Sequence, residues 1–227
     1  MLKNSHWRVV AALQRNPEKL LDYNWREKIQ KWVYSVLDGT VVGKNMHQSR
    51  YSLFVYSLLP EKGLCLPEGL KSRTGRWQFR FSSVYPEACA VIYSALAGNG
   101  TVSFDGEEFS VGPLFKEPVE ANKFGTAITV LAAKLKERGF WTPADAHFIE
   151  AVKKSLANRW EFCFGKKMPE TRISFLEQAE QRLVQYKNRD LLVFTGLVSV
   201  DGPAEVRRFA RCVGLGQKPS CGFGYLI

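Results

Sequence analysis

No stretch of the 227-residue chain approaches the ~20 consecutive apolar residues that a membrane-crossing helix requires. The opening residues, Met1-Leu2-Lys3-Asn4-Ser5-His6, lack the apolar segment of a secretory signal, so a non-exported, cytoplasmic protein is expected. The five cysteines, Cys65, Cys89, Cys163, Cys212 and Cys221, form no Cys-x-x-Cys pair and have no histidine at zinc-ligand spacing. Their odd count and scatter fit reduced thiols that pack as small hydrophobes. The carboxylates are scattered too, with no Asp/Glu cluster of the kind that holds two metal ions in a nuclease. No metal and no other cofactor is expected. A disordered chain is also excluded, because a 45% hydrophobic content supports one large or two modest cores, and the length fits two domains best.

Positive charge is abundant. Thirty-two Lys and Arg against twenty-two Asp and Glu give a formal charge of +10. That balance attracts polyanions and places nucleic acid first among partners, although it is silent about fold.

Periodicity gives an order of elements. His6 to Gln14 alternates, with Trp7, Val9, Ala11 and Leu13 on one side, and reads as a half-buried strand. A helix follows, opened by an Asn24/Glu27 capping pair and carrying Trp25, Ile29, Trp32, Val33, Val36 and Leu37 at helical spacing up to Gly39. Tyr51 to Leu59 and Arg76 to Phe81 read as strands; the second sets Trp77, Phe79 and Phe81 against a cationic face of Arg76, Gln78 and Arg80. Pro86 opens a second helix that runs to Gly98, and Thr101 to Val111 forms a hairpin around Asp105-Gly106. Residues 115–125, with a proline and a glycine, read as a connector.

The second half repeats the order. Thr126 to Leu135 reads as a strand, and Thr142-Pro143 begins a helix ending near Gly165. Glu180 to Lys187 and Leu191 to Val200 read as a hairpin turning at Asn188-Arg189, in preference to a helix over Ser174 to Gln185. Pro203 starts a short helix whose apolar face is Val206, Phe209, Ala210 and Val213, with Arg207, Arg208 and Arg211 expected to be exposed. A doubled strand-helix-strand-strand-helix-strand order predicts an α+β protein of two tandem ferredoxin-like (RRM-like) βαββαβ domains, residues 1–114 and 126–227.

The last stretch, Gly214-Leu215-Gly216-Gln217-Lys218-Pro219-Ser220-Cys221-Gly222-Phe223-Gly224-Tyr225-Leu226-Ile227, is rich in glycine. Such a loop can present N–H groups to phosphate, with Gln217, Lys218 and Ser220 adding polar contacts. A helix C-cap followed by a tight turn into a final strand is the structural alternative. A dinucleotide or P-loop fingerprint does not fit, because those glycines lead from a strand into a helix and only Tyr225, Leu226 and Ile227 remain here.

The spacing Gly-x-Gly, five residues, Gly-x-Gly at the C-terminus resembles the signature loop of the CRISPR-associated repeat-RNA endoribonucleases, the sixth Cas family within the RAMP superfamily. The first half is similar to that family as well: Tyr34 stands late in the first helix and His47 follows before the next strand. The resemblance implies repeat RNA as partner, other Cas proteins of an effector complex as the wider assembly, and a monomer or homodimer.

It also implies metal-independent cleavage of precursor CRISPR RNA within repeats. That chemistry needs the adjacent 2′-hydroxyl to attack phosphorus in line, leaving a 2′,3′-cyclic phosphate and a 5′-hydroxyl, with a base, an acid and positive charge supplied by the protein. Imidazole, with an unperturbed pKa of ~6.5, suits both proton-transfer roles. Of the three histidines, His6 falls in a strand and His147 in a helix, whereas His47 is expected in a polar loop, Lys44 to Arg50. By resemblance His47 is the general acid or base and Tyr34 orients it or the attacking hydroxyl. The family's lysine after the histidine is absent; Ser49, Arg50 and Ser52 stand there, so Arg50 is the candidate for stabilising the phosphate, with Lys44 as the alternative. Further RNA contacts are expected from Arg76, Arg80, Lys166, Lys167, Arg207, Arg208, Arg211 and the loop residues Gly214, Gly216, Gln217, Lys218, Ser220, Gly222 and Gly224. A protein that binds repeat RNA on the same scaffold without cutting it is the alternative.

Overall fold

A computed structural model describes residues 6–98, 100–122, 124–131, 134–135, 139–176, 180–187 and 189–227. In chain order the elements are β1 (Trp7–Gln14), α1 (Trp25–Leu37), α2 (Val41–Gln48), β2 (Phe54–Pro60), β3 (Gly63–Leu66), β4 (Gly69–Ser72), β5 (Arg76–Ser83), α3 (Pro86–Ala97), β6 (Thr101–Phe104) and β7 (Glu107–Pro118). They continue as β8 (Phe124–Leu131), β9 (Lys134–Leu135), β10 (Gly139–Phe140), α4 (Ala146–Phe164), β11 (Arg172–Phe175), β12 (Glu180–Tyr186), β13 (Arg189–Asp201), α5 (Ala204–Val213), a 3₁₀ turn (Pro219–Cys221) and β14 (Tyr225–Leu226). No helix among the described residues is long and apolar enough to cross a membrane.

The first half is an antiparallel sheet in the order β2-β5-β1-β7-β6. Without the edge strand β6, this is the strand order of one ferredoxin-like unit. The β3–β4 hairpin and α2 are additions to that plan. Val9, Ala11 and Leu13 of β1 and Trp77, Phe79 and Phe81 of β5 pack with Ile29 and Val33 of α1 and Ile92 of α3 in one core. The second half places β11 and β12 against β13, followed by β8 and β14, which is the same order again. Its core joins Phe148, Val152 and Leu156 of α4 to Val206 and Phe209 of α5, and takes in Leu53, Val84 and Val119 from the first half. The fold is thus a double ferredoxin-like α+β structure.

Local chemistry explains several elements. The turn between β6 and β7 has positive φ at both Asp105 (51°) and Gly106 (87°), the conformation of a tight primed hairpin turn. Pro86 occupies the first turn of α3, where its missing N–H is harmless. The β12–β13 hairpin forms, but Arg189, expected in its turn, is already paired with Tyr186, and Asn188 lies outside the described residues.

Other expectations need correction. The connector read over 115–125 is shorter: residues 115–118 continue β7, paired with β1, and residues 124–125 open β8. Proline is tolerated here because Pro118 is the last residue of the strand. Helix α4 starts at Ala146 rather than at Thr142, because Asp145 Oδ2 accepts hydrogen bonds from the Thr142 N–H (2.7 Å) and hydroxyl (2.9 Å), which close a turn ahead of it. Asn24 makes no side-chain cap on α1; its own N–H donates to Asp22 Oδ1 instead. Strand β1 is buried on both faces over most of its length, because the face turned away from α1 and α3 meets the second domain: Arg8 donates to the Leu226 carbonyl (3.1 Å).

Candidate active site

Helix α1 carries Arg26, Gln30 and Tyr34 at intervals of four, a line that faces the C-terminal loop. The Arg26 guanidinium lies 5.0 Å from the Phe223 ring, Gln30 Nε2 donates to Cys221 Sγ (3.3 Å), and Ser220 lies close to the Tyr34 hydroxyl. Ser220 Oγ is also 2.8 Å from Ser52 Oγ, in the segment leading into β2.

His47 reaches this place from α2. The Thr40 hydroxyl caps α2 by accepting from the Gly43 N–H (2.9 Å) and donates to the Leu37 carbonyl (2.6 Å), which ties the start of α2 to the end of α1. Gly43 is required at this corner, since a methyl group there would stand 1.9 Å from the Leu37 carbonyl oxygen. The tight corner turns α2 back, so that the exposed His47 ring rests on Tyr34 with centroids 4.7 Å apart and planes at 37°. His47 is therefore helical and not in a loop as expected. Lys44, one turn earlier, is exposed beside it. Arg50 is exposed just beyond the helix, with its guanidinium 5.8 Å from the centre of the Tyr51 ring.

Burial pushes the Tyr34 pKa above the usual phenol value, opposed in part by the nearby Ser220. Tyr34 is therefore a neutral hydroxyl near pH 7, able to donate a hydrogen bond and unsuited to act as a base.

The glycine-rich segment combines a C-cap with a tight return. Gly214, Gly216, Gly222 and Gly224 all have φ between 74° and 77°. Gly214 ends α5, and the Leu215 N–H donates to the Gly224 carbonyl (2.8 Å). Arg159 of α4, fully buried, donates to the carbonyls of Val213 (2.6 Å), Ser155 (3.1 Å) and Gly216 (3.4 Å), while the Ser155 hydroxyl adds a bond to Gly216 (2.9 Å). Burial lowers its pKa to about 10, so it remains charged.

This arrangement differs from an open amide cradle. Within 214–226 only Gln217 and Lys218 are exposed, Lys218 in the left-handed conformation at the tip; the four glycines are buried. Cβ atoms at Gly214 and Gly222 would stand 2.9 Å from Val55 and 2.8 Å from Tyr56 of β2. The glycines let the loop wedge against the first domain, where the buried Ser220 meets Ser52, and leave Lys218 exposed at the tip.

The other expected RNA contacts divide. Arg211 is buried and donates to the Phe124 carbonyl (2.7 Å), and Arg207 donates to the carbonyls of Ala121 (2.6 Å) and Gly202, so both hold the domain together instead of lying free on its surface. Arg208 is partly exposed. Arg80 is largely covered, 3.6 Å from Glu117, because the second domain packs on its face of the sheet; Arg76, at the strand end, is exposed. Lys166 and Lys167 are exposed. His6 is buried, with Nε2 3.2 Å from the Val84 carbonyl oxygen, and His147 stacks on Trp141. Among the described residues there is no group of three or more His, Cys, Asp or Glu side chains suited to a metal ion.

Sequence reasoning missed Arg159, Gln30 and the bond from Ser52 to Ser220. The four-residue spacing of Arg26, Gln30 and Tyr34 along one line of α1 was the available signal for Gln30.

The family model described as CRISPR associated protein Cas6, C-terminal, matches residues 113–227, more than half of the chain. The chain belongs to the Cas6 family. Solved structures agree on the fold: "CRISPR associated protein Cas6" has a TM-score of 0.77 at 19% identity, covering 98% of this chain and 99% of its own. "An RAMP protein binding different RNA substrates" has a TM-score of 0.80 at 19% identity, with 98% and 100% covered. A structure described as a Cas6-related gene from Pyrococcus furiosus has a TM-score of 0.82 at 15% identity, with 98% of each chain covered. No curated protein matches the sequence. Cas6 membership thus rests on the family model, and the double ferredoxin-like fold is shared with proteins that have diverged widely in sequence.

Proposed function

We propose that this Cas6 protein binds CRISPR repeat RNA and cuts it by attack of a 2′-hydroxyl on the adjacent phosphate, with no metal ion taking part. The observation that carries the reading is the meeting of His47 and Tyr34 with Ser220, which brings an imidazole from the first domain to the glycine-rich loop of the second. A phosphate lying between α2 and the loop tip would meet the His47 imidazole and the half-buried Tyr34 hydroxyl, with Lys44, Arg50 and Lys218 exposed around them.

In this mechanism His47 moves the proton, as base for the 2′-hydroxyl or acid for the departing 5′-oxygen. The neutral Tyr34 hydroxyl, steadied by Ser220, orients the imidazole or the attacking group by donating a hydrogen bond. The cations stabilise charge on the pentavalent phosphate; Arg50 can contact two oxygens, and Lys44 and Lys218 act as point charges. The products are a 2′,3′-cyclic phosphate and a 5′-hydroxyl. Broader RNA contacts come from exposed cations such as Arg76, Lys166, Lys167 and Arg208, so affinity falls as salt rises.

Single-turnover cleavage of a repeat RNA by His47→Ala tests the reading. The rate should drop by ~10²-fold or more while RNA affinity changes little. An unchanged rate removes His47 from the chemistry, and tight binding by wild type with no cleavage at all favours a binding protein.

A further inference from the structure

We propose that Tyr51 and Phe162 form a stacking platform for one unpaired nucleobase of the RNA, within a nucleotide or two of the cleaved phosphate; this rests on the reading of the site given above. Helix α4 buries Phe148, Val152, Leu156 and Trp160, whereas Phe162 lies off that stripe and is 48% exposed. A single exposed apolar residue is ordinary on a protein surface. Three observations set this one apart.

Phe162 is paired. Its ring meets Tyr51 edge to face, with centroids 5.6 Å apart and planes at 67°, and the Arg50 guanidinium lies 5.8 Å from the Tyr51 ring. Aromatic faces beside a cation suit a base and its attached phosphate, and any of the four bases can use them because each has a π-face.

The pair is also held in place. Ser49 Oγ donates to the Tyr51 carbonyl (2.8 Å) and accepts from the Tyr51 N–H (3.1 Å), while the Tyr51 ring packs against the core of the second domain. One ring comes from each domain, so the platform exists only when the two are docked.

Its position adjoins the proposed chemistry. Tyr51 precedes Ser52, whose hydroxyl bonds to Ser220, and it is four residues from His47, which limits their Cα separation to about 14 Å at full extension. Phe162 lies seven residues along α4 from Ser155, the residue that holds Gly216, a rise of about 10 Å. Both rings are thus within reach of a nucleotide next to a phosphate seated at His47.

The test is an abasic scan. Repeat RNAs with a single abasic site at each of the positions flanking the cut are bound by wild type and by Phe162→Ala, Phe162→Leu and Phe162→Trp. At one position the abasic site should weaken wild-type binding by about 5- to 150-fold, the range of a base–aromatic stack. Phe162→Ala and Phe162→Leu should weaken binding of intact RNA by a similar factor and add nothing on that abasic RNA, while Phe162→Trp keeps wild-type affinity. Losses that multiply at every position, or intact RNA bound equally well by Phe162→Ala, overturn the platform. Wild-type protein that binds no repeat RNA overturns the platform and the parent reading together, whereas normal binding and cutting with a multiplicative scan overturns the platform alone.

Discussion

Gly224→Ala should be among the most disruptive single-methyl additions in this chain, and its cost follows from two features of the loop. Gly224 has φ +75°, a conformation that costs an L-residue roughly 1–2 kcal/mol. The added methyl would also stand 1.8 Å from the Leu215 carbonyl oxygen and 2.9 Å from the Leu215 nitrogen, so backbone has to move. Movement breaks the buried bond from the Leu215 N–H to the Gly224 carbonyl, and an orphaned buried group costs about 1–3 kcal/mol. The sum is about 2–5 kcal/mol, or ~4–20 °C in Tm at 2–4 °C per kcal/mol for a chain of this size. Gly165→Ala is the matched control: its φ is +63° but nothing lies within 4 Å of the added methyl, so only the conformational cost of roughly 1–2 kcal/mol remains. Urea unfolding followed by tryptophan fluorescence measures both. Gly224→Ala should also weaken RNA binding by displacing Ser220 and Lys218, while Gly165→Ala leaves cleavage unchanged. If the two variants unfold within ~0.5 kcal/mol of each other, the packing argument for the loop is wrong.

The β1–β7 pair should carry an acid-sensitive component. The Arg8 hydrogen bond at 2.6 Å, helped by the positive charges of Arg8, Arg80 and Arg211, holds the Glu117 carboxyl below the usual carboxylate range. Its stabilisation is therefore fully present above the unfolded value of ~4.3 and is lost as pH falls through the lower folded value. Between about pH 2 and 5, Tm should fall less steeply in Glu117→Gln than in wild type, and identical slopes would contradict the assignment. Thiol chemistry should also separate the cysteines: Cys65 is exposed, burial raises Cys163 to about 11 and Cys212 to about 12, and burial also raises Cys89. A thiol reagent at pH 8 should find one fast group in native protein, absent in Cys65→Ser, and a second fast group would show that the core opens readily.

What the sequence made legible was mostly local. The Asp105-Gly106 turn, the proline at the start of α3 and the alternation of β5 depend on neighbouring residues, and they form as read. The cationic face of β5 was visible, but its partial covering was not, because the second domain hides Arg80 through contacts more than a hundred residues away in the chain. The loop glycines announced positive φ without revealing that they are buried against Val55 and Tyr56. His47 was placed in a loop because Lys44 to Arg50 is polar and basic, yet the segment continues α2, which turns back at a corner that demands glycine at position 43. The meeting of Tyr34 with Ser220 was not legible, since no periodicity links positions so far apart.

The most direct measurement is cleavage of a repeat RNA by the wild-type protein in EDTA, beside the same RNA carrying one 2′-deoxynucleotide at the mapped cut. The account predicts that the first is cut to a 2′,3′-cyclic phosphate and a 5′-hydroxyl and that the second stays intact. Cutting of both RNAs, or cutting only after a divalent metal is restored, would contradict it.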